Sequence, residues 1–297
     1  MTAKCRWGVI LALGLMLTTA AARAQQKSCD DLMKEAEAVW LTRDYDGSDK
    51  LLEEAKKICP ERAEIYWRSC RNEYDRIEDT PREQKPTKDE LVKRYRGIEA
   101  TAAKCSELDP NDGNCTFWKG VGMGRRGTTQ GILSSLDEAD DLEQVLLKAE
   151  SQNPQYHSSD GSANTLGDIY NALGMFYRVL PEWLCTIGIK QIVGTCGDLD
   201  KSVEYNRKAV AREGKRIEYQ KELGISLICR GQKRNKPEEV EEGKKILTDL
   251  QSFAEFKRTD PIDKKHAQDI LADPKLACGY SRDAQQEQSQ ETYKGPK

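Results

Sequence analysis

The amino-acid sequence predicts an all-α chain of antiparallel helical hairpins stacked in a superhelix. Three observations carry this prediction. The 297 residues are 33% charged and only 7% aromatic, and strand-type runs of Val, Ile and Thr are scarce. Abundant Leu and Ala among many charges favour helices with solvated outer faces. Small residues recur where paired helices must approach closely, at first with a period of about 34 residues. Gly, Asp, Asn and Pro punctuate the periodic stretches, where helices begin and end.

The N-terminal segment precedes this pattern. Lys4 and Arg6 lead into the apolar run Trp7–Ala20, about 14 residues against the roughly 20 that a membrane-spanning helix needs. Ala22-Arg23-Ala24 then places small residues where a signal peptidase cuts. Residues 1–24 are therefore expected to be a cleaved secretory signal, and the mature protein to be periplasmic or secreted. An uncleaved anchor is the alternative, and the length of the run argues against it. Lipid attachment at Cys29 is disfavoured because Gln26-Lys27-Ser28 precedes it instead of small apolar residues. Cleavage removes Lys4, Arg6 and Arg23, which leaves 44 of the 47 basic residues against 50 acidic ones. This mildly acidic balance gives no electrostatic reason to expect nucleic acid, or a membrane surface after cleavage, as a partner.

Residues 25–283 form the helical domain, read as five hairpins at about 29–60, 61–110, 113–155, 163–213 and 216–253. In the first, Leu32, Ala36, Val39, Tyr45, Ser48, Leu52, Ala55 and Pro60 have the spacing of a tetratricopeptide unit. Ala36 lets two helices touch, Tyr45 sits at the turn and Pro60 stops the second helix. Cys70, Gly120, Gly174 and Gly224 occupy the equivalent close-contact site in the other four. The second helix of the second unit is predicted at Lys88–Leu108, and that of the last at Glu238–Gln251. Long insertions separate the helices at Gly127–Asp140 and Leu180–Cys196. A helix near Asp260–Leu271 caps the last hairpin, since a bare terminal repeat would expose its apolar face. Residues 284–297, mostly Gln, Glu, Ser and Lys, read as a disordered tail.

Nine cysteines follow the signal. In an exported chain they are disulfide partners with one left over. The hairpins narrow the pairing. Cys29 and Cys59 lie at the same end of the first hairpin. Cys105 meets Cys115 where one hairpin passes to the next, Cys185 and Cys196 bracket an insertion, and Cys229 faces Cys278 beyond the cap. Cys70, at a close-contact site, is expected to be a free, buried and poorly reactive thiol.

One stretch is more specific than a generic repeat. Trp118-Lys119-Gly120-Val121-Gly122-Met123-Gly124-Arg125-Arg126-Gly127 runs on to Gly131-Ile132-Leu133 and Ser135-Leu136. Leu173-Gly174-Met175-Phe176-Tyr177 and Gly197-Asp198-Leu199 follow in order. Over roughly residues 110–230 the chain resembles the periplasmic tetratricopeptide component associated with bacterial TRAP transporters. That resemblance implies a periplasmic helical fold and a solute-binding protein as partner. The insertion bracketed by Cys185 and Cys196 and the density of cysteines depart from the family pattern.

Catalytic and metal motifs are weak. No pair of cysteines is spaced C-x-x-C, and only His157 and His266 supply imidazole, so no metal or cofactor is expected. Gly120, Gly122, Gly124 and Gly127 lack the strand and the Lys-Ser/Thr ending of a phosphate loop and read as helix-packing residues. Asp109-Pro110-Asn111-Asp112-Gly113-Asn114 lacks the closing Glu of a calcium loop and reads as a capped turn. The carboxylates Asp137–Asp141 and Glu143 read as a solvated helix face. An enzyme is therefore the least favoured reading.

The concave wall is the candidate site. Positions from three before to five beyond each close-contact residue place Trp40, Trp67, Arg71, Tyr74, Phe117, Val121, Arg125, Asn171, Met175 and Arg178 along it. Aromatic and Arg side chains make large contacts at low entropic cost, the composition of binding hot spots. The expected function is a scaffold binding a protein partner there. The alternative is a small-molecule carrier with its pocket at the Gly-rich segment. For Trp67 and Phe117 the competing role is core filling. For the arginines it is pairing with Glu or Asp of neighbouring helices.

Overall fold

A computed structural model describes residues 27–185, 194–280 and 282. The expected signal, the polar tail and the middle of the second insertion lie outside the described residues. Among those described, the regular structure is helical, and the sole β-type pairing is one isolated bridge between His157 and Asn164. None of the described helices is long and apolar enough to cross a membrane.

The first hairpin shows how local chemistry sets the helix ends. Helix α1 (Cys29–Leu41) opens with a capping box in which Ser28 and Asp31 exchange bonds. Asp44 caps α2 (Tyr45–Ile58) by accepting from the Gly47 amide at 2.8 Å. The two helices lock through buried Ser48, whose hydroxyl donates to the Ala36 carbonyl at 2.9 Å. The second hairpin is α3 (Ala63–Asp79) and α4 (Lys88–Leu108), the third α5 (Gly113–Gln130) and α6 (Ala139–Ser151). Helix α5 starts at an Asp112 cap, as the Asp-Pro-Asn-Asp-Gly-Asn turn predicts. The fourth is α7 (Thr165–Val179) with α8 (Leu199–Arg212), capped by Asn164 and Asp198. In the fifth, α9 (Ile217–Arg234) ends on Asn235 in the left-handed conformation, and α10 (Pro237–Asp249) starts on its proline. Helix α11 (Asp260–Ala272) packs over α9 and α10 as the cap.

The close-contact residues all face their second helices. A Cβ on Gly120 would come within 2.9 Å of Leu146, and one on Gly224 within 2.6 Å of Leu247. Ser202 donates to the Gly174 carbonyl at 2.7 Å, repeating the Ser48–Ala36 bond of the first hairpin. Cys70 is buried beside the Ile98 carbonyl of α4. The four cysteine pairs Cys29–Cys59, Cys105–Cys115, Cys185–Cys196 and Cys229–Cys278 are joined, with Cα separations of 4.7 to 6.3 Å, and Cys70 is free. Desolvation pushes the Cys70 thiol far up, so it stays protonated.

Three expectations are corrected. The first insertion starts later than Gly127, because α5 continues to Gln130 and a 3-10 stretch then fills Ile132–Glu138. Helix α10 stops at Asp249, with a 3-10 turn over Leu250–Ser252. Glu143 is buried and not solvated, because it accepts the Tyr177 hydroxyl beneath α7.

Candidate functional site

The concave wall closes into a basin. The segment leading into α11 crosses to the first hairpins: Arg43 donates to the Phe256 carbonyl at 2.6 Å and Arg258 lies 3.8 Å from Asp79. Arg282, beyond the cap, donates to Glu78 of α3 at 3.2 Å. These contacts bridge 213, 179 and 204 residues of chain and draw the two ends of the superhelix together. The basin between them holds a cavity of about 330 Å³.

Its floor is apolar. Phe117, Val121, Leu142, Met175, Phe176 and Val179 come from α5, α6 and α7. Gly120 and Gly124 expose α5 backbone to the same space. The glycines do different jobs. Gly120 and Gly122 sit where a Cβ would strike Leu146 and the α4 backbone. A Cβ on Gly124 would make only ordinary contact with Leu142. Close packing thus accounts for the first two, while Gly124 keeps the floor deep.

The rim is charged, and most of its charges are already used. Arg125 donates to Glu78 at 2.6 Å. Burial raises the Glu78 carboxyl, but Arg125, Arg282 and Lys85 outweigh it and hold it at about 2. Glu218 follows the same logic: burial is overcome by Lys257, Arg282, Arg216 and Lys221, which hold it at about 2. Lys221 bonds Asp263 at 2.6 Å and lies 3.0 Å from Glu222. Asp75 differs. Its Oδ2 accepts the Trp40 indole N–H at 2.8 Å, and it makes no ion pair among the described residues. Burial lifts its carboxyl to about 6, against the partial opposition of Lys257, the Trp40 bond and Arg71.

Eight of the ten predicted wall residues line the cavity: Trp40, Arg71, Tyr74, Phe117, Val121, Arg125, Asn171 and Met175. Arg71 is spoken for by the protein, 3.0 Å from Glu37 with its guanidinium 3.6 Å from the centre of the Trp40 ring. Two residues are misplaced by the spacing argument. Trp67 points into the core, its ring 4.7 Å from that of Tyr156. Arg178 is fully buried behind the wall, paired with Glu222 at 2.5 Å and donating to the Tyr280 carbonyl. The offset itself is not the cause, since Phe117 and Asn171 share Trp67's place in their repeats, Trp40 and Tyr74 share Arg178's, and all four line the cavity. Trp67 and Arg178 are instead taken up by neighbouring groups, Tyr156 for the first and Glu222 with the Tyr280 carbonyl for the second. Residues missed by the sequence reading include Asp75, Glu218, Lys257 and Arg282. Asp75 stands four residues after Arg71 and so shares its helix face, a signal that was there to use. Lys257 and Arg282 lie outside the repeats, where periodicity is silent.

The two histidines do not meet. His157 bonds Glu213 at 2.6 Å in the loop before α7, and His266 on α11 lies 3.0 Å from the Tyr280 hydroxyl. No group of three or more His, Cys, Asp and Glu side chains among the described residues has metal-site geometry.

No family model matches the sequence, and no curated protein is similar to it. Among solved structures, the crystal structure of MamA protein aligns with 91% of this chain and 97% of that one, at 13% identity and a TM-score of 0.37. The stacked hairpins themselves make this chain a helical-repeat protein.

Proposed function

We propose that this chain is an exported binding protein whose concave basin receives the apolar part of a ligand. One observation carries the proposal: an apolar floor sunk below a rim whose charges are largely neutralised by one another. Such a cavity gains by excluding water from an apolar group and offers few polar atoms to orient it. Its volume is at the small end of the range for small-molecule sites, which favours a compact ligand, the carrier reading, over a broad protein surface. Export is supported by the signal-like N-terminus and by four cysteine pairs at bonding distance, which persist in oxidising compartments.

A protein partner is the second reading. The segment that resembles the TRAP-associated family supplies Gly120, Val121, Gly124 and Arg125 to the basin, so a partner such as a solute-binding protein would insert a side chain there. Binding is preferred to catalysis because the rim carboxylates other than Asp75 are engaged by cations or hydroxyls and neither histidine lines the cavity.

Gly124→Leu tests the site. The Cβ is tolerated, and the rest of the side chain fills the floor. Native mass spectrometry of the gently purified protein is expected to show a bound small molecule that Gly124→Leu loses while its helicity stays unchanged. A ligand retained by the variant places binding elsewhere. A co-purifying protein lost in the variant supports the second reading.

A further inference from the structure

Among the described carboxylates of the basin, Asp75 alone has neither an ion pair nor a second donor. Glu78, Asp79, Glu218 and Glu222 each have a cation within 3.8 Å, and the others, Glu138, Asp168 and Asp160, are held by arginines or by several hydroxyl and amide donors. Asp75 receives a single bond, from Trp40 to Oδ2. Its Oδ1 has no hydrogen-bond partner among the described residues and is not one of their sealed polar atoms, and Asp75 lines the cavity.

The nearby cations serve it only in part. Arg71, one turn earlier on α3, is neutralised by Glu37 at 3.0 Å, and Lys257 is drawn to Glu218 at 3.6 Å. Asp79, one turn later, adds a second negative charge. The carboxyls follow this pairing: Glu78 and the part-buried Glu218, both paired, are held at about 2, whereas the part-buried, unpaired Asp75 is raised to about 6 by desolvation. A desolvated carboxylate lacking a cation is what a bound cation would relieve.

We infer that the basin takes an organic ammonium, a protonated amine on a compact apolar body, with the ammonium bonded to Asp75 Oδ1 and the body on the α5–α7 floor. This rests on the binding function proposed above. The cavity sets the size: about 330 Å³ accommodates about ten non-hydrogen atoms at the roughly 30 Å³ that each water occupies in the liquid. Tyr45 and Tyr74 border the same space and offer aromatic surface to a cation. Charge-assisted hydrogen bonds are roughly twice as strong as neutral ones, so an amine should be favoured over its alcohol.

The test is calorimetric titration of the oxidised protein near neutral pH with phenethylamine, phenethyl alcohol and hydrocinnamate, which share one skeleton. Phenethylamine is expected to bind about tenfold more tightly than the alcohol, a difference of about 1.4 kcal/mol, and hydrocinnamate least of all. In Asp75→Asn, which can still accept the Trp40 N–H, amine and alcohol should bind alike. Circular dichroism checks the fold of this variant, and if it misfolds, the wild-type preference decides alone. Alcohol or carboxylate binding as tightly as the amine overturns the ammonium assignment and leaves the apolar basin standing. So does an amine preference that survives in a folded Asp75→Asn. Failure of all three probes to bind overturns the assignment and the basin together.

Discussion

Asp75 and His266 occupy surroundings that resist charge, and they tilt the stability of the fold in opposite directions over one pH window. The Asp75 carboxyl is raised from 3.8 to about 6 in the folded state. The native state therefore holds its proton more tightly, and stability falls as pH rises from about 4 to about 6. His266 is lowered from 6.5 to about 4 by burial and by Lys221 and Arg282. The native state holds that proton less tightly, so stability falls as pH drops from about 6.5 to about 4. Each shift is worth at most on the order of 3 kcal/mol across the window, less where solvent reaches the part-buried groups. Urea midpoints at several pH values should separate them: Asp75→Asn should make stability rise more steeply with pH, and His266→Gln should make it fall. A pH profile unchanged by either substitution would show that these groups are not desolvated as described. Arg178 gives a second prediction at this scale. Its removal leaves Glu222 beside Lys221 with one cation fewer and strands the Tyr280 carbonyl. Arg178→Ala should cost about 3–5 kcal/mol in chemical denaturation. A loss below about 1 kcal/mol would mean that water or Lys221 compensates.

At the scale of the helix pair, the informative features are places where a missing side chain lets two backbones meet. Gly243 of α10 lies against α9, where a Cβ would come within 2.5 Å of the Gly224 carbonyl and 2.7 Å of Ile228. Gly243→Ala should therefore destabilise by about 1–3 kcal/mol despite alanine's better helix propensity. Gly124→Ala should be neutral or slightly stabilising, since only Leu142 stands near and at ordinary distance. Thermal melts of the two variants test the pair, and equal effects would refute the packing distinction. The same small residues made the hairpins legible in the sequence. Ala36, Cys70, Gly120, Gly174 and Gly224 mark one site per repeat, and a residue that must be small is visible without any structure. The site was only partly legible for a matching reason. Spacing from those anchors names a helix face, and eight wall residues share it. It does not say which members of that face a neighbouring group will claim, as Tyr156 claims Trp67 and Glu222 claims Arg178. Nor could spacing reach Lys257 and Arg282, whose positions are set by pairing with Glu218 and Glu78 far away in the chain.

For the whole molecule, the cysteine links divide by the length of chain they close. Cys229–Cys278 spans 49 residues and Cys185–Cys196 spans 11. Loop-closure entropy assigns them about 4 and about 3 kcal/mol respectively. Paired Cys→Ser variants should show the larger loss of denaturation midpoint for the first, and a reversed order would show that native-state packing outweighs chain entropy. The longer link also fastens α9 to the segment following α11, and so holds Tyr280 near Arg178. Its loss should loosen the C-terminal side of the basin as well as the fold.

The bridges from Arg43, Arg258 and Arg282 across the basin bear on how the protein comes apart. An open array of repeats behaves as a one-dimensional chain: each unit touches only its neighbours, and the terminal units fray first at the cost of a single interface. Here the first hairpins also touch the last segments, so fraying from either end breaks two sets of contacts at once. Closure turns a row of semi-independent units into one cooperative body. Amide hydrogen exchange should accordingly report similar opening free energies for the terminal α1 and the central α5, where an unclosed array would show a gradient falling toward the ends.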